Sequence, residues 1–123
     1  MKRENIVKAK SFEFAILAVQ VVRGIQGKQK EFVLSNQLLR SGTSVGANIC
    51  EAENAESKKD FIHKMSVALK EANETKYWLE LMEKSELMDQ QIYFELDNKI
   101  TEITKILISA IKTAKANLNI KRP

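Results

Sequence analysis

The chain has 123 residues and a mass of 14.0 kDa, enough for one domain (residues 1–123) with a core that needs no disulfide or metal staples. Four Gly and one Pro, against roughly 12% of these two residues in average proteins, leave room for few turns and exclude sandwiches, barrels and many-stranded α/β folds. One Cys excludes a disulfide framework and a cysteine zinc site, and the net charge of +4 with a pI near 9.2 is only modestly basic.

The first segment is expected to be helical from about Asn5 to Ile25. Phe12, Ile16, Val19 and Val22 make one apolar stripe and Phe14, Ala18, Val21 and Ile25 a second, both at helical spacing. Gly24 and Gly27 read as its end. The second segment is expected to start at Ser35 as N-cap, with Leu34 and Leu39 as a hydrophobic staple. Leu38, Gly42, Val45, Ile49 and Ala52 follow at spacings of 4, 3, 4 and 3 residues. Gly42 and Gly46 each weaken a helix interior by about 1 kcal/mol relative to Ala, which close approach of a neighbouring helix would offset; a local kink is the alternative.

The third segment opens on Ser57, with Asp60 three residues later as a capping-box variant. Phe61, Met65, Ala68, Ala72, Thr75, Leu79 and Met82 then form a bundle seam, widened by Ile62, Leu69, Trp78 and Leu81. The fourth runs from Asp89, a helix N-cap, to near Leu118. Leu96, Ile103, Leu107, Ala110 and Ala114 line its inner stripe, with Ile100, Ile106, Ile108 and Ile111 beside or outside it. Four helices with short connections predict an all-α, antiparallel up-down-up-down four-helix bundle, each helix roughly 30–45 Å long at 1.5 Å per residue. No signal pattern opens the chain, and no uncharged apolar run reaches about 18 residues, so a soluble cytoplasmic protein with no membrane partner is expected.

Segments two and three read Gln37-Leu-Leu-Arg40-Ser41-Gly-Thr-Ser44-Val45-Gly-Ala-Asn48-Ile49-Cys-Glu51-Ala52, then Ser57-Lys-Lys-Asp60-Phe61. This resembles the 23S rRNA-intervening-sequence proteins, also called four helix bundle proteins. Their pattern is Gln-Leu-x-Arg-(small)-x-x-Ser-(Val/Ile)-x-x-Asn-Ile-Ala-Glu-Gly followed by Ser-x-x-(Glu/Asp)-Phe. Gln37, Arg40, Ser44, Asn48, Ile49, Glu51 and Phe61 match it. Cys50 replaces the usual alanine and Ala52 the usual glycine; the second change would tighten or lengthen the end of the second helix. The specific match covers roughly residues 34–82. The family name records a genomic location inside ribosomal RNA genes and no activity. The resemblance implies a homo-oligomer, a ring-shaped pentamer. By analogy with the related accessory variability determinants of diversity-generating retroelements, which are nucleic-acid-binding partners of a reverse transcriptase, it also implies RNA or DNA as a partner. Fold alone does not transfer function.

Gln37, Arg40, Ser44, Asn48 and Glu51 recur at helical spacing and form one polar stripe. Arg40 can donate to a carboxylate in fork geometry and Asn48 can pair with backbone. The first reading is a hydrogen-bonded structural seam between helices or subunits, the second a ligand or nucleic-acid site. A di-metal centre needs paired Glu-x-x-His units. The chain has one histidine, His63, which falls on the solvent side with Glu56, Lys59 and Lys70. No metal, no cofactor and no catalytic residue is expected, so the protein does not read as an enzyme. Cys50 reads as a small apolar filler beside Ile49.

Residues 1–34 carry a net +4, residues 35–84 a net −1 and residues 85–123 a net +1. An up-down bundle gathers Lys2, Arg3, Lys8, Lys10, Lys112, Lys115, Lys121 and Arg122 at one pole. It also brings Glu51, Glu53, Glu56 and Asp60 there with the turn between the second and third helices. These cations are the candidate nucleic-acid contacts, reaching phosphates without reading bases. A protein-only oligomeric scaffold, whose partner is another polypeptide, is the competing reading. Whether the acidic turn breaks the basic pole discriminates the two.

Overall fold

The computed structural model describes residues 3–120, and among them there are four α-helices and no strand: α1 (Arg3–Gln29), α2 (Val33–Glu53), α3 (Lys58–Lys84) and α4 (Gln90–Ile120). Each helix packs on its neighbour in the chain, and α1 also packs on α4, which closes a four-helix bundle. No described helix is long and apolar enough to cross a membrane.

The inner faces follow the helical period. α2 buries Leu38, Gly42, Val45, Ile49 and Ala52, and α3 buries Met65, Ala68, Ala72, Thr75, Leu79 and Met82. Leu96, Ile103, Leu107 and Ala110 fill the α4 side. Leu79 has no exposure, so Leu79→Ala should destabilise the fold by about 2–5 kcal/mol. Ile62, Leu69 and Trp78 pack half-buried against this core. Phe61, expected within it, is also half-buried: it sits in the first turn of α3, where the bundle opens to solvent.

α1 settles which of its apolar positions turn inward, and one expectation for it is overturned. The buried line is Val7, Ser11, Phe14, Ala18, Val22 and Ile25, while Phe12 and Ile16 stay 67% and 44% exposed. The buried line takes Phe14, Ala18 and Ile25 from the second stripe and Val22 from the first, a choice made by the packing of α2 and α4. The glycines do not end the helix: α1 runs through Gly24 and Gly27 to Gln29 and stops where Lys30 takes a left-handed φ of 56°. A helix propagates through an open, exposed glycine at modest cost.

Ser35 is no N-cap. α2 starts two residues earlier, at Val33, and the Glu31 carboxylate accepts from the Leu34 and Ser35 N–H groups, both at 2.9 Å. Burial pushes this carboxyl up, but the Leu34, Ser35 and Val33 N–H groups outweigh it and hold the pKa below the usual carboxylate range. Ser35 is instead buried, its hydroxyl donating back to the Glu31 carbonyl at 2.7 Å. Ser57 does cap α3, its side chain accepting from Asp60 N–H at 3.0 Å, and Asp60 in turn accepts from Glu56 N–H at 3.2 Å. Asp89 caps α4 through the Gln91 N–H at 2.7 Å.

The glycines of α2 permit close approach of α1. A Cβ on Gly42 would lie 3.4 Å from the Phe14 ring, and one on Gly46 3.2 Å from Ser11 Oγ. On α4, Ile100 and Ile111 are buried rather than peripheral, at 0% and 7% exposure. Ile108 is half exposed. With α1 on one side and α3 on the other, α4 buries a wider arc than a single stripe.

Candidate functional site

The motif line on α2 lies along the α3 side. The Arg40 guanidinium donates to Glu71 at 3.0 Å and to Glu74, and the Glu74 carboxylate also accepts from the Trp78 indole N–H at 2.9 Å. The Glu74 hydrogen bond strengthens the charged form of Arg40. The Trp78 N–H, followed by Arg40, holds the Glu74 carboxyl below its ordinary range despite partial burial. Ser44 donates to the Arg40 carbonyl at 2.7 Å, and the Asn48 amide donates to the Ser44 carbonyl at 2.9 Å. Glu51 faces Lys64 at 3.8 Å, and Gln37 is half-buried at the head of the line. These groups therefore engage α2's own backbone and α3. With Ala52 in place of glycine, α2 continues to Glu53 and ends at Asn54.

The basic pole is divided. Lys8 pairs with Glu53 at 2.8 Å, which raises its pKa, and Lys10 pairs with Glu102 at 3.1 Å. Arg3 donates to the Ser109 hydroxyl, joining the start of α1 to α4. Lys112 and Lys115 are exposed and make no ion pair among the described residues. Lys2, Lys121 and Arg122 lie outside the described residues. The acidic turn carries Glu51, Glu56 and Asp60 around a shallow depression shared with Asn54 and Lys64. It thus interrupts the basic surface on the α2 side, through Glu53, and leaves it open along α4. Sequence reading missed Lys105, exposed and equally without an ion pair; its seven-residue spacing from Lys112, two helical turns, was the available signal.

An apolar groove of about 650 Å³ runs between α1 and α2, lined by Ala9, Phe12, Ala15, Thr43, Gly46, Ala47 and Cys50. Cys50 is exposed here and is not a core filler. One residue past buried Ile49 turns the side chain about 100° around the helix, out of the core and onto this groove. His63 is exposed, and among the described residues no group of three or more His, Cys, Asp and Glu side chains is placed to hold a metal ion.

Residues 3–109 match the family described as 23S rRNA-intervening sequence protein. No curated protein matches the chain. Among solved structures, the chain is similar to a Bacteroides thetaiotaomicron protein of unknown function from the S23 ribosomal protein family. The two are 54% identical with a TM-score of 0.89, over 90% of this chain and 99% of that one. With the family match covering most of its length and the motif residues on one helix face, the chain belongs to the 23S rRNA-intervening sequence protein family.

Proposed function

We propose that the protein is a non-enzymatic, cytoplasmic, oligomeric bundle of up-down-up-down topology that binds nucleic acid through backbone phosphates as an accessory factor. Contacts that run in opposite directions along neighbouring helices support the topology: Lys8 meets Glu53 while Gln26 meets Ser35, and Arg3 meets Ser109 while Lys10 meets Glu102. The observation that carries the binding reading is the set of exposed lysines on α4, Lys105, Lys112 and Lys115, with no ion pair among the described residues. Cations without local partners are the ones free to displace counterions from phosphates.

Assembly rests on two separate apolar surfaces. Phe12 lines the α1–α2 groove and Ile16 is exposed one helical turn further along α1, while Phe94 and Ile108 are about half exposed on α4. Two different patches on one chain favour a head-to-tail contact, and such contacts close into rings. Five copies are taken from the family resemblance. A ring would repeat the lysine row and convert weak contacts into avidity.

The test is binding of the wild-type protein to duplex DNA, structured RNA and single strands across a salt series. Sequence-indifferent affinity that falls linearly on a log–log salt plot is expected. Absence of binding at about 50 mM salt, where screening is weak, rejects it. The apolar groove then favours the second reading, a protein-only scaffold whose partner is a polypeptide.

A further inference from the structure

The end of α3 differs in charge from the rest of the chain. Residues 71–98 hold eight acidic and two basic side chains, half of the chain's 16 acidic residues, and so a net −6 within a chain of net +4. Within this stretch Tyr77 is 61% exposed, and Val33 at the start of α2 is 75% exposed.

Val33 and Tyr77 belong to one face. Arg40 meets Glu74 while Glu51 meets Lys64, so Val33, seven residues before Arg40, lies toward the end of α3. Seven residues are about two helical turns, which keeps Val33 on the stripe of α2 that faces α3. Trp78 and Leu81, half-buried on α3, continue the apolar surface. Tyr77 stands edge-on to Trp78, with ring centroids 5.0 Å apart and planes at 77°, and the Trp78 indole is tied through Glu74 to Arg40. The exposed ring is therefore braced from behind.

We infer that this face, formed by Val33, Tyr77 and Glu80, docks a segment of a partner polypeptide that alternates arginine with aliphatic residues. Large exposed apolar side chains rimmed by polar groups mark interaction surfaces, and the charge around them selects the occupant. Glu80 and Glu86 are exposed and make no ion pair among the described residues, because Lys84 pairs with Glu83 and Lys76 with Asp97. Burial, and then the carboxylates of Asp97, Glu80 and Glu83, hold the nearby Tyr93 phenol above its usual range, so acidic groups of both helices converge here. Such a field repels phosphate and anionic lipid and attracts cations.

The ring narrows the cation to arginine. Glu80 is three residues beyond Tyr77, a neighbour on the helix surface, so a guanidinium stacked on the ring also reaches a carboxylate. A planar guanidinium does both at once, whereas the lysine ammonium is a strongly hydrated point charge. Val33 takes the aliphatic residue beside it. The contact is separate from the phosphate contact proposed on α4: it shares no residue with the lysine row and has the opposite charge.

The experiment is anisotropy of a labelled peptide of alternating arginine and leucine, and of its lysine–leucine counterpart, titrated with the full-length protein at about 50 mM salt. It compares wild type, Val33→Ser/Tyr77→Ser, Val33→Ile/Tyr77→Phe, Glu80→Gln/Glu86→Gln, and Glu51→Gln/Glu56→Gln, which removes the same charge near the α2–α3 turn. Wild type should bind the arginine peptide at least about threefold more tightly than the lysine peptide, and the Ser pair should lose about tenfold and no longer tell the two apart. The Ile/Phe pair should retain binding, the Glu80/Glu86 variant should lose about tenfold, and the Glu51/Glu56 variant should change by under about twofold. Circular dichroism and light scattering should be unchanged throughout. No binding by wild type overturns the docking surface, as do equal affinity for the two peptides and full binding by the Ser pair. An equal loss in the Glu51/Glu56 variant reduces the contact to unspecific charge attraction and also overturns it. A wild-type mass that grows with concentration at low salt, and does not in the Glu80/Glu86 variant, makes a second copy the occupant and overturns the assignment to a partner.

Discussion

The hydroxyls of Ser41 on α2 and Thr75 on α3 lie 3.0 Å apart in the core, both with no solvent exposure. Thr75 also reaches the Glu71 carbonyl at 2.8 Å, whereas Ser41 has among the described residues only one further hydrogen bond, a long one of 3.5 Å to the Leu38 carbonyl. The Ser41 hydroxyl thus depends on Thr75. Thr75→Val should destabilise by about 1–3 kcal/mol because it strands the Ser41 hydroxyl. Adding Ser41→Ala should recover much of that loss, a non-additive pair readable from urea midpoints.

Glu74 gives the fold a definite pH dependence. The Trp78 N–H and then Arg40 stabilise its carboxylate, so its pKa is lower folded than unfolded. Its contribution is present above the ordinary carboxylate pKa of about 4.3 and is lost as the pH falls through the folded value. Thermal midpoints should therefore drop more on acidification for wild type than for Glu74→Gln. Parallel curves for the two proteins contradict this assignment.

Glu86 ends α3 in a conformation that suits glycine. Its φ is 63°, with its N–H on the Glu83 carbonyl at 3.1 Å and the Leu87 N–H on the Met82 carbonyl at 2.9 Å, a Schellman ending without Gly. Glu86→Gly should raise stability by about 0.5–1 kcal/mol by relieving the left-handed backbone. An unchanged or lower denaturation midpoint speaks against it.

The proposed assembly makes the α1–α2 groove an interface. Phe12→Ser with Ile16→Ser should reduce the mass seen by light scattering toward 14.0 kDa while helical content holds, because both side chains lie outside the core. Retention of the wild-type mass removes the groove from the interface.

Helix number and the seams of α2 and α3 were legible because single apolar stripes at 3–4 spacing, with Ser57 and Asp89 as caps, leave one solution. α1 was ambiguous since it is apolar nearly all round, and its partners decide which stripe is inside. The start of α2 was misread because Ser35 has the right chemistry for a cap, while the carboxylate that performs it, Glu31, lies outside the helix. Glu86 gave no sign of ending α3, since left-handed endings are read from Gly. The polar pole was legible as composition only; that Lys8 and Lys10 find carboxylates and Lys112 and Lys115 do not is a matter of tertiary placement.

Light scattering of the wild-type protein with and without duplex DNA, at about 50 mM and then about 500 mM salt, tests assembly and phosphate binding together. The expected result is a multiple of 14.0 kDa that gains the mass of the duplex at low salt and releases it at high salt with the protein assembly unchanged. A 14.0 kDa particle that never takes up duplex contradicts the account.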